Sequence, residues 1–167
     1  MASDKVIACC EALIEKKLTI TFVESASAGK MNYEFSTVIN SGQILIGGMV
    51  CYHHSMKEDL LSISPGTIEK HTAESAIVTK LMAENFYRYV KSDICVALTG
   101  LTTPGGSESP TKPVGTIFVH IVFSDYEIAK RFQFTGDAES IINQAIDHIA
   151  DLLLYEVQKE DKNLPEN

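Results

Sequence analysis

No apolar run in this 167-residue chain approaches the roughly 18 residues that a membrane-spanning helix needs. The N-terminus has no charged-then-apolar leader pattern, so the expected location is cytoplasmic. Basic charge is in deficit, with 14 lysines and arginines against 22 aspartates and glutamates and a formal charge of −8. Nucleic acid and anionic membrane are therefore excluded as expected partners, since either needs a basic surface. A small anionic substrate is not excluded, because it needs only a local cluster of cations. The four cysteines (Cys9, Cys10, Cys51, Cys95) form no C-x-x-C pair, so neither a zinc knuckle nor a dithiol redox motif is indicated. Their apolar contexts predict buried, reduced thiols. Internal repeats, low-complexity segments and an obvious linker are also missing.

What is present describes an ordinary globular domain: 45% apolar and 22% charged residues, in a chain long enough to bury a core. The expected division is one domain over 1–157 and a polar, frayed tail over 158–167. Ser3 can cap a first helix whose apolar face holds Val6, Cys9, Cys10, Leu13 and Ile14. Strands are predicted at 18–23, 44–52 and 94–99, the second apolar enough to be central. Its Gly47-Gly48 pair signals a bulge or a close approach of backbone. Helices are predicted at about 28–39, 55–61 and, capped by Thr72, 72–91, the last burying Val78, Leu81, Met82, Phe86 and Tyr89. Ser64-Pro65-Gly66 reads as a turn. A hairpin across Ser124-Asp125 (116–123, 126–134) and a helix from Asp137, read as its N-cap, to Val157 complete the chain. The alternation predicts an α/β three-layer sandwich, with a central mixed, mostly parallel sheet flanked by helices.

One segment carries chemistry. In Thr19-Ile20-Thr21-Phe22-Val23-Glu24-Ser25-Ala26-Ser27-Ala28-Gly29 a β-branched and aromatic run stops at an acid and a serine, and small residues follow. That order delivers a serine from a strand to the mouth of a helix, where unpaired amides can stabilise an oxyanion. Ser25 reads either as a helix N-cap or as a nucleophile. A nucleophile needs a base, and no histidine lies close in sequence. One strand later, Met49-Val50-Cys51-Tyr52 runs into His53-His54-Ser55-Met56-Lys57, which offers Lys57. His53-His54 could suggest a metal, but adjacent residues point apart and no further ligands cluster nearby. The long segment 100–115 has the length of a functional loop. If the three non-hairpin strands are parallel, Ser25, the 52–57 segment and Thr99-Gly100 converge at one sheet edge, where open α/β sheets bind ligands.

These motifs resemble the CinA C-terminal domain family, whose stand-alone form is a nicotinamide-nucleotide amidase. The family's A-E-S-C-T-G-G stands here as Val23 to Gly29, and its Y-S-N-E-A-K as Tyr52 to Lys57 with tyrosine and lysine five apart. Its T-G-I-A-G-P-G-G stands as Thr99 to Gly106, its K-P-V-G-T as Lys112 to Thr116, and its F-x-G-D as Phe134 to Asp137. The larger members carry an additional N-terminal domain, for which these 167 residues leave no room. The resemblance implies hydrolysis of the carboxamide of nicotinamide mononucleotide to nicotinate mononucleotide and ammonia, with no cofactor and no metal. It implies Ser25 as nucleophile, Lys57 as general base, and Tyr52 orienting the lysine or relaying a proton. Among substrate-binding residues it implies Glu24 and Gly29 in the serine loop, with Ala26 and Ser27 as oxyanion donors. Thr99, Gly100, Gly105 and Gly106 would line the pocket, and Lys112 would neutralise a phosphate. The partners implied are a small-molecule nucleotide substrate and further copies of the chain, as a homodimer or higher homo-oligomer.

The chain departs from the family pattern in three places. Ala26, Ser27 and Ala28 replace cysteine, threonine and glycine after the serine. Thr102-Thr103 replaces Ala-Gly in the second loop, and Ala138-Glu139-Ser140 stands where arginines often follow the G-D. Two readings stay open: an active amidase, and a divergent relative that binds a nucleotide-like ligand or a protein partner without turnover.

Overall fold

The first helix, α1 (Asp4–Lys16), starts where the sequence places it. Ser3 Oγ accepts the Val6 amide at 3.3 Å, and the helix stops at Lys17 in a left-handed conformation. The computed structural model describes residues 2–159. After α1 come β1 (Ile20–Glu24), α2 (Lys30–Ser36), β2 (Leu45–Val50), α3 (His54–Leu61), α4 (Pro65–His71) and α5 (Ala76–Tyr89). β3 (Ile94–Gly100), β4 (Thr116–Val122), β5 (Glu127–Gln133) and α6 (Ala138–Lys159) follow.

The strands form one sheet in the order β2-β1-β3-β4-β5. β1 pairs in parallel with β2 and β3, whereas β3–β4 and β4–β5 are antiparallel. The sheet is mixed and flanked by helices as expected, but its pairings divide evenly and are not mostly parallel. The 100–115 connection explains this, because it returns the chain directly to the same edge without a crossover helix. Alternation along the strands splits the core into two layers. Ile20 and Phe22 pack with Val96, Leu98 and Val119 under α1, α2 and α6. Val23, Cys95 and Ala97 pack with Val78, Met82 and Phe86 on the other side, under α3 to α5. All four cysteines are free and buried. Burial pushes the thiols of Cys10 and Cys95 up to about 12, the behaviour of packing residues.

Several expectations are corrected. β2 is an edge strand, with Ile46 and Val50 exposed. Two of its six residues are glycines with no side chain to bury, and Gly47 at φ 133° opens a bulge, so that Ile20 pairs with Leu45 but Thr21 with Gly47. Gly48 serves close approach: a Cβ there would lie 2.2 Å from Asn32 Nδ2 and 2.4 Å from the Phe22 carbonyl. Pro65 opens α4 at its first turn rather than marking only a turn. Thr72 ends α4 at φ 68°, and it is Ser75 that caps α5, accepting the Val78 amide at 3.3 Å. Tyr89, expected inside, is exposed at the last residue of α5. Asp137 does cap α6, accepting the Ser140 amide at 2.8 Å. That helix runs through Gln158 and Lys159, and the rest of the expected tail, 160–167, lies outside the described residues.

Candidate active site

Because β1 is parallel to both neighbours, the C-terminal ends of β1, β2 and β3 share one edge. The chain leaves β1 through α2 on one face and returns to β3 through α3, α4 and α5 on the other. Helices on opposite faces leave a crevice between the ends of β1 and β3, the topological switch point of an open sheet. Ser25, the first residue past β1, sits there. A cavity of about 190 Å³ opens on it, lined by Ser25, Ala26, Tyr52, Glu74 and the loop 100–106. A hollow of about 630 Å³ between α1 and residues 37–40 is larger, but it lies away from Ser25 and Lys57. Its size does not make it the site, because neither Ser25 nor Lys57 lines it.

Glu24 builds the loop that presents Ser25. Its carboxylate, fully buried, accepts the amides of Gly29 (3.0 Å), Met31 (3.1 Å) and Asn32 (2.8 Å), the Asn32 side-chain N–H (2.7 Å) and the Ser27 hydroxyl (2.5 Å). Gly29 is the N-cap position of α2 and has no side chain to offer, so a carboxylate five residues upstream caps the helix instead. The turn is closed by Ala28 at φ 48° and Gly29 at φ 96°, with the Ala28 amide on the Ser25 carbonyl at 3.1 Å. Ser25 is therefore not the helix cap; its hydroxyl is left for another partner.

That partner is Lys57. α3 is capped by His53, whose ring accepts the Ser55 amide at 3.3 Å, and the helix turns Lys57 and Leu61 onto its buried face. Lys57 Nζ donates to Ser25 Oγ at 3.1 Å, to the Cys51 carbonyl at 2.8 Å and to the Tyr52 carbonyl at 3.5 Å. Its side chain is 0% exposed, and Ser25 is 6% exposed. Burial lowers the pKa of the ammonium from the usual lysine value, and the Glu74 charge pulls the other way. Among the described residues no carboxylate lies within ion-pair distance of it. The neutral amine has two hydrogens and a lone pair. Two carbonyls can take the hydrogens, which leaves the lone pair for the serine hydroxyl.

The other expected residues divide. Ala26, Gly100, Gly105 and Gly106 line the crevice. Among the described residues, the amides of Ala26 and Ser27 donate to no protein acceptor, which keeps them available to an oxyanion. Glu24, Gly29 and the Ser27 hydroxyl serve the loop from behind and do not line the crevice. Tyr52 lines it, but its side chain is 66% exposed and it meets Lys57 through its backbone carbonyl, not its phenol. Thr99 is buried behind the wall, its hydroxyl 2.8 Å from that of Thr79, which in turn donates to the Ser75 carbonyl. Lys112 lies off the crevice and donates to Thr72 Oγ1 (2.6 Å), Ser107 Oγ (2.8 Å) and the Glu74 carbonyl (3.0 Å). Its three N–H groups thus tie the 100–115 loop to the α4–α5 connection. Two adjacent histidines do not make a metal site: His53 caps α3, and among the described residues no cluster suits a metal ion.

Sequence reasoning missed Glu74. Starting the helix at Thr72 places it inside a first turn, whereas the helix starts at Ala76 and leaves Glu74 on the rim of the crevice. Ser75, an equally good cap residue, was the available signal.

The CinA C-terminal domain model matches residues 4–157. A CinA-like protein of Thermotoga maritima is 34% identical over 129 residues, 77% of this chain and 31% of that protein. One from Desulfotalea psychrophila is 30% identical over 143 residues, 86% of this chain and 34% of that protein. The chain thus spans about a third of the length of these relatives. A CinA superfamily crystal structure from Klebsiella pneumoniae superposes with TM-score 0.87 at 23% identity, covering 93% of this chain and 97% of its own. A second, from Escherichia coli, gives 0.83 at 25%, covering 92% and 93%. With the match running from α1 to α6 and the fold shared across nearly the whole chain, this protein belongs to the CinA C-terminal domain family.

Proposed function

We propose that the chain is an amidohydrolase acting through Ser25 and Lys57, and that its substrate is the carboxamide of nicotinamide mononucleotide. The observation that carries the reading is the buried lysine amine 3.1 Å from a serine hydroxyl at the switch point, with no counter-ion in reach among the described residues. A lysine in this setting is neutral more readily than one in water, and so can act as a base. Neutral Lys57 takes the Ser25 proton as Oγ bonds to the amide carbon. The oxygen of the tetrahedral intermediate is then stabilised by the unpartnered amides at Ala26 and Ser27. The Lys57 ammonium returns its proton to the amide nitrogen, the C–N bond breaks, and ammonia leaves a serine ester. Water, deprotonated by Lys57, attacks that ester; Ser25 recovers its proton and nicotinate mononucleotide departs.

Purified protein is tested for ammonia release from nicotinamide mononucleotide beside Ser25→Ala and Lys57→Ala. Expected is release by the wild type and its loss, by about three orders of magnitude or more, in each variant. Absence of release by folded wild type would reject this substrate and leave ligand-binding screens to decide between another amide and a non-catalytic relative.

A further inference from the structure

The wall of the crevice carries one charged side chain, Glu74. It stands in the short connection between α4 and α5, and its carboxylate accepts the Ser107 hydroxyl at 2.5 Å from the opposite loop. Lys112 donates to the same hydroxyl at 2.8 Å and to the Glu74 backbone carbonyl at 3.0 Å. Among the described residues no cation lies within 4.0 Å of the Glu74 carboxylate. Glu74 is therefore held by a neutral donor, with no direct ion pair among the described residues, on the wall of the cavity that opens on Ser25.

This placement works against the base. Burial lowers the pKa of both Lys57 and Lys112; the Glu74 charge opposes this by favouring both ammonium groups, and Arg131 disfavours that of Lys112. The other titratable group near Lys57, Cys51, is a buried thiol pushed up by its surroundings and brings no charge. A carboxylate that opposes the neutral lysine is a liability in an empty crevice and an asset once a cation sits against it. A sphere with the volume of this cavity, about 190 Å³, is only about 7 Å across, so a positive charge next to the scissile amide feels Glu74 strongly.

We infer that Glu74 is a specificity-determining residue, selecting amides that carry a positive charge on the ring bearing the carboxamide, of which a pyridinium nucleotide is one. The inference rests on the crevice in front of Ser25 being the substrate site. The bound cation takes up the carboxylate's field and releases Lys57 to the neutral form, so binding and activation of the base are coupled. An uncharged ring of the same shape leaves Glu74 unpaired and gains neither effect.

The test compares nicotinamide mononucleotide with its dihydro form, which keeps the ribose phosphate and carboxamide but has an uncharged ring. Dissociation constants are measured calorimetrically in Ser25→Ala, which blocks turnover, and in that variant combined with Glu74→Gln or with Glu74→Asp. Glu74→Gln is expected to weaken the pyridinium form about tenfold and to leave the dihydro form unmoved, while Glu74→Asp retains the discrimination. Equal effects on the two nucleotides, no effect on either, or no binding of either by folded protein would overturn the assignment. Ammonia release by the wild type is scored separately. Selective binding without release would sink the amidase and leave the selectivity of Glu74 standing.

Discussion

Replacing Lys57 by methionine should make this protein more stable while silencing the proposed chemistry. The side chain is fully buried, and among the described residues it has hydrogen-bond acceptors but no counter-ion. Methionine keeps most of the apolar stem and removes the ionisable head. The change deprives the Cys51 carbonyl of its 2.8 Å donor, a loss of about 1 kcal/mol. Against this, it removes the penalty of holding an amine where its charged form is disfavoured; replacing buried ion pairs by well-packed apolar residues stabilises by about 1–4 kcal/mol, which sets the scale. The net expectation is a gain of up to about 3 kcal/mol near pH 7. Its pH dependence has a definite sign. The folded-state pKa of Lys57 lies below the 10.5 of the unfolded chain, so between the two values the unfolded state binds more protons. Wild-type stability therefore rises with pH through that window, and the penalty vanishes above the unfolded value. Urea unfolding at several pH values from about 7 to about 10 should show the variant's advantage shrinking as pH rises. A variant less stable than wild type at neutral pH, or an advantage independent of pH, would refute the account of Lys57 as a base whose ammonium is destabilised by burial.

Two further substitutions probe the loop that presents Ser25. Glu24→Gln preserves size but offers one acceptor oxygen and an NH₂ group to five donors, so it should cost about 2–4 kcal/mol in denaturant unfolding; a loss below about 0.5 kcal/mol would show that the carboxylate is not what orders α2. Ala28→Gly should stabilise by about 0.5–1 kcal/mol, because a left-handed alanine at φ 48° costs about 1–2 kcal/mol and the added freedom of the unfolded glycine returns part of that. A destabilised Ala28→Gly variant in the same melts would contradict this reading of the turn.

The parts of the site that depend on local order were legible in the sequence, and the parts that depend on distance were not. A strand stopping at Glu24-Ser25 and a second predicted to end at Tyr52, five residues before Lys57, place serine and lysine at one edge as soon as the strands are parallel, and they are. The Gly47-Gly48 signal likewise became a bulge and a close approach. What one-dimensional pattern could not weigh was how many apolar side chains β2 offers once two of its six residues are glycines, so its edge position was misread. Lys112 illustrates the same limit. A lysine beside a glycine-rich loop suits a phosphate, but the acceptors that claim it come from Thr72 and Glu74, some forty residues earlier in the chain. Tyr52 keeps its place in the motif, yet it acts on Lys57 through a carbonyl that any residue could supply.

Glu24 and Lys57 are both fully buried, and the difference between them is where reactivity resides. Glu24 is a charge whose acceptor capacity is filled by five donors, so it is fixed and inert. Lys57 has acceptors enough for its hydrogens but no counter-ion in reach among the described residues, so its proton is the loosely held one. The serine between them belongs to the segment that Glu24 holds still and faces the amine that is destabilised. Rigidity on one side and frustration on the other are both needed. A mobile loop would lose the 3.1 Å contact, and a salt-bridged lysine would keep its proton. Glu74 is placed between these extremes, half-buried, its carboxylate held among the described residues by the Ser107 hydroxyl. Its charge reaches Lys57 without forming an ion pair with it, which is why a ligand entering the crevice can change the balance there and nowhere else in the site.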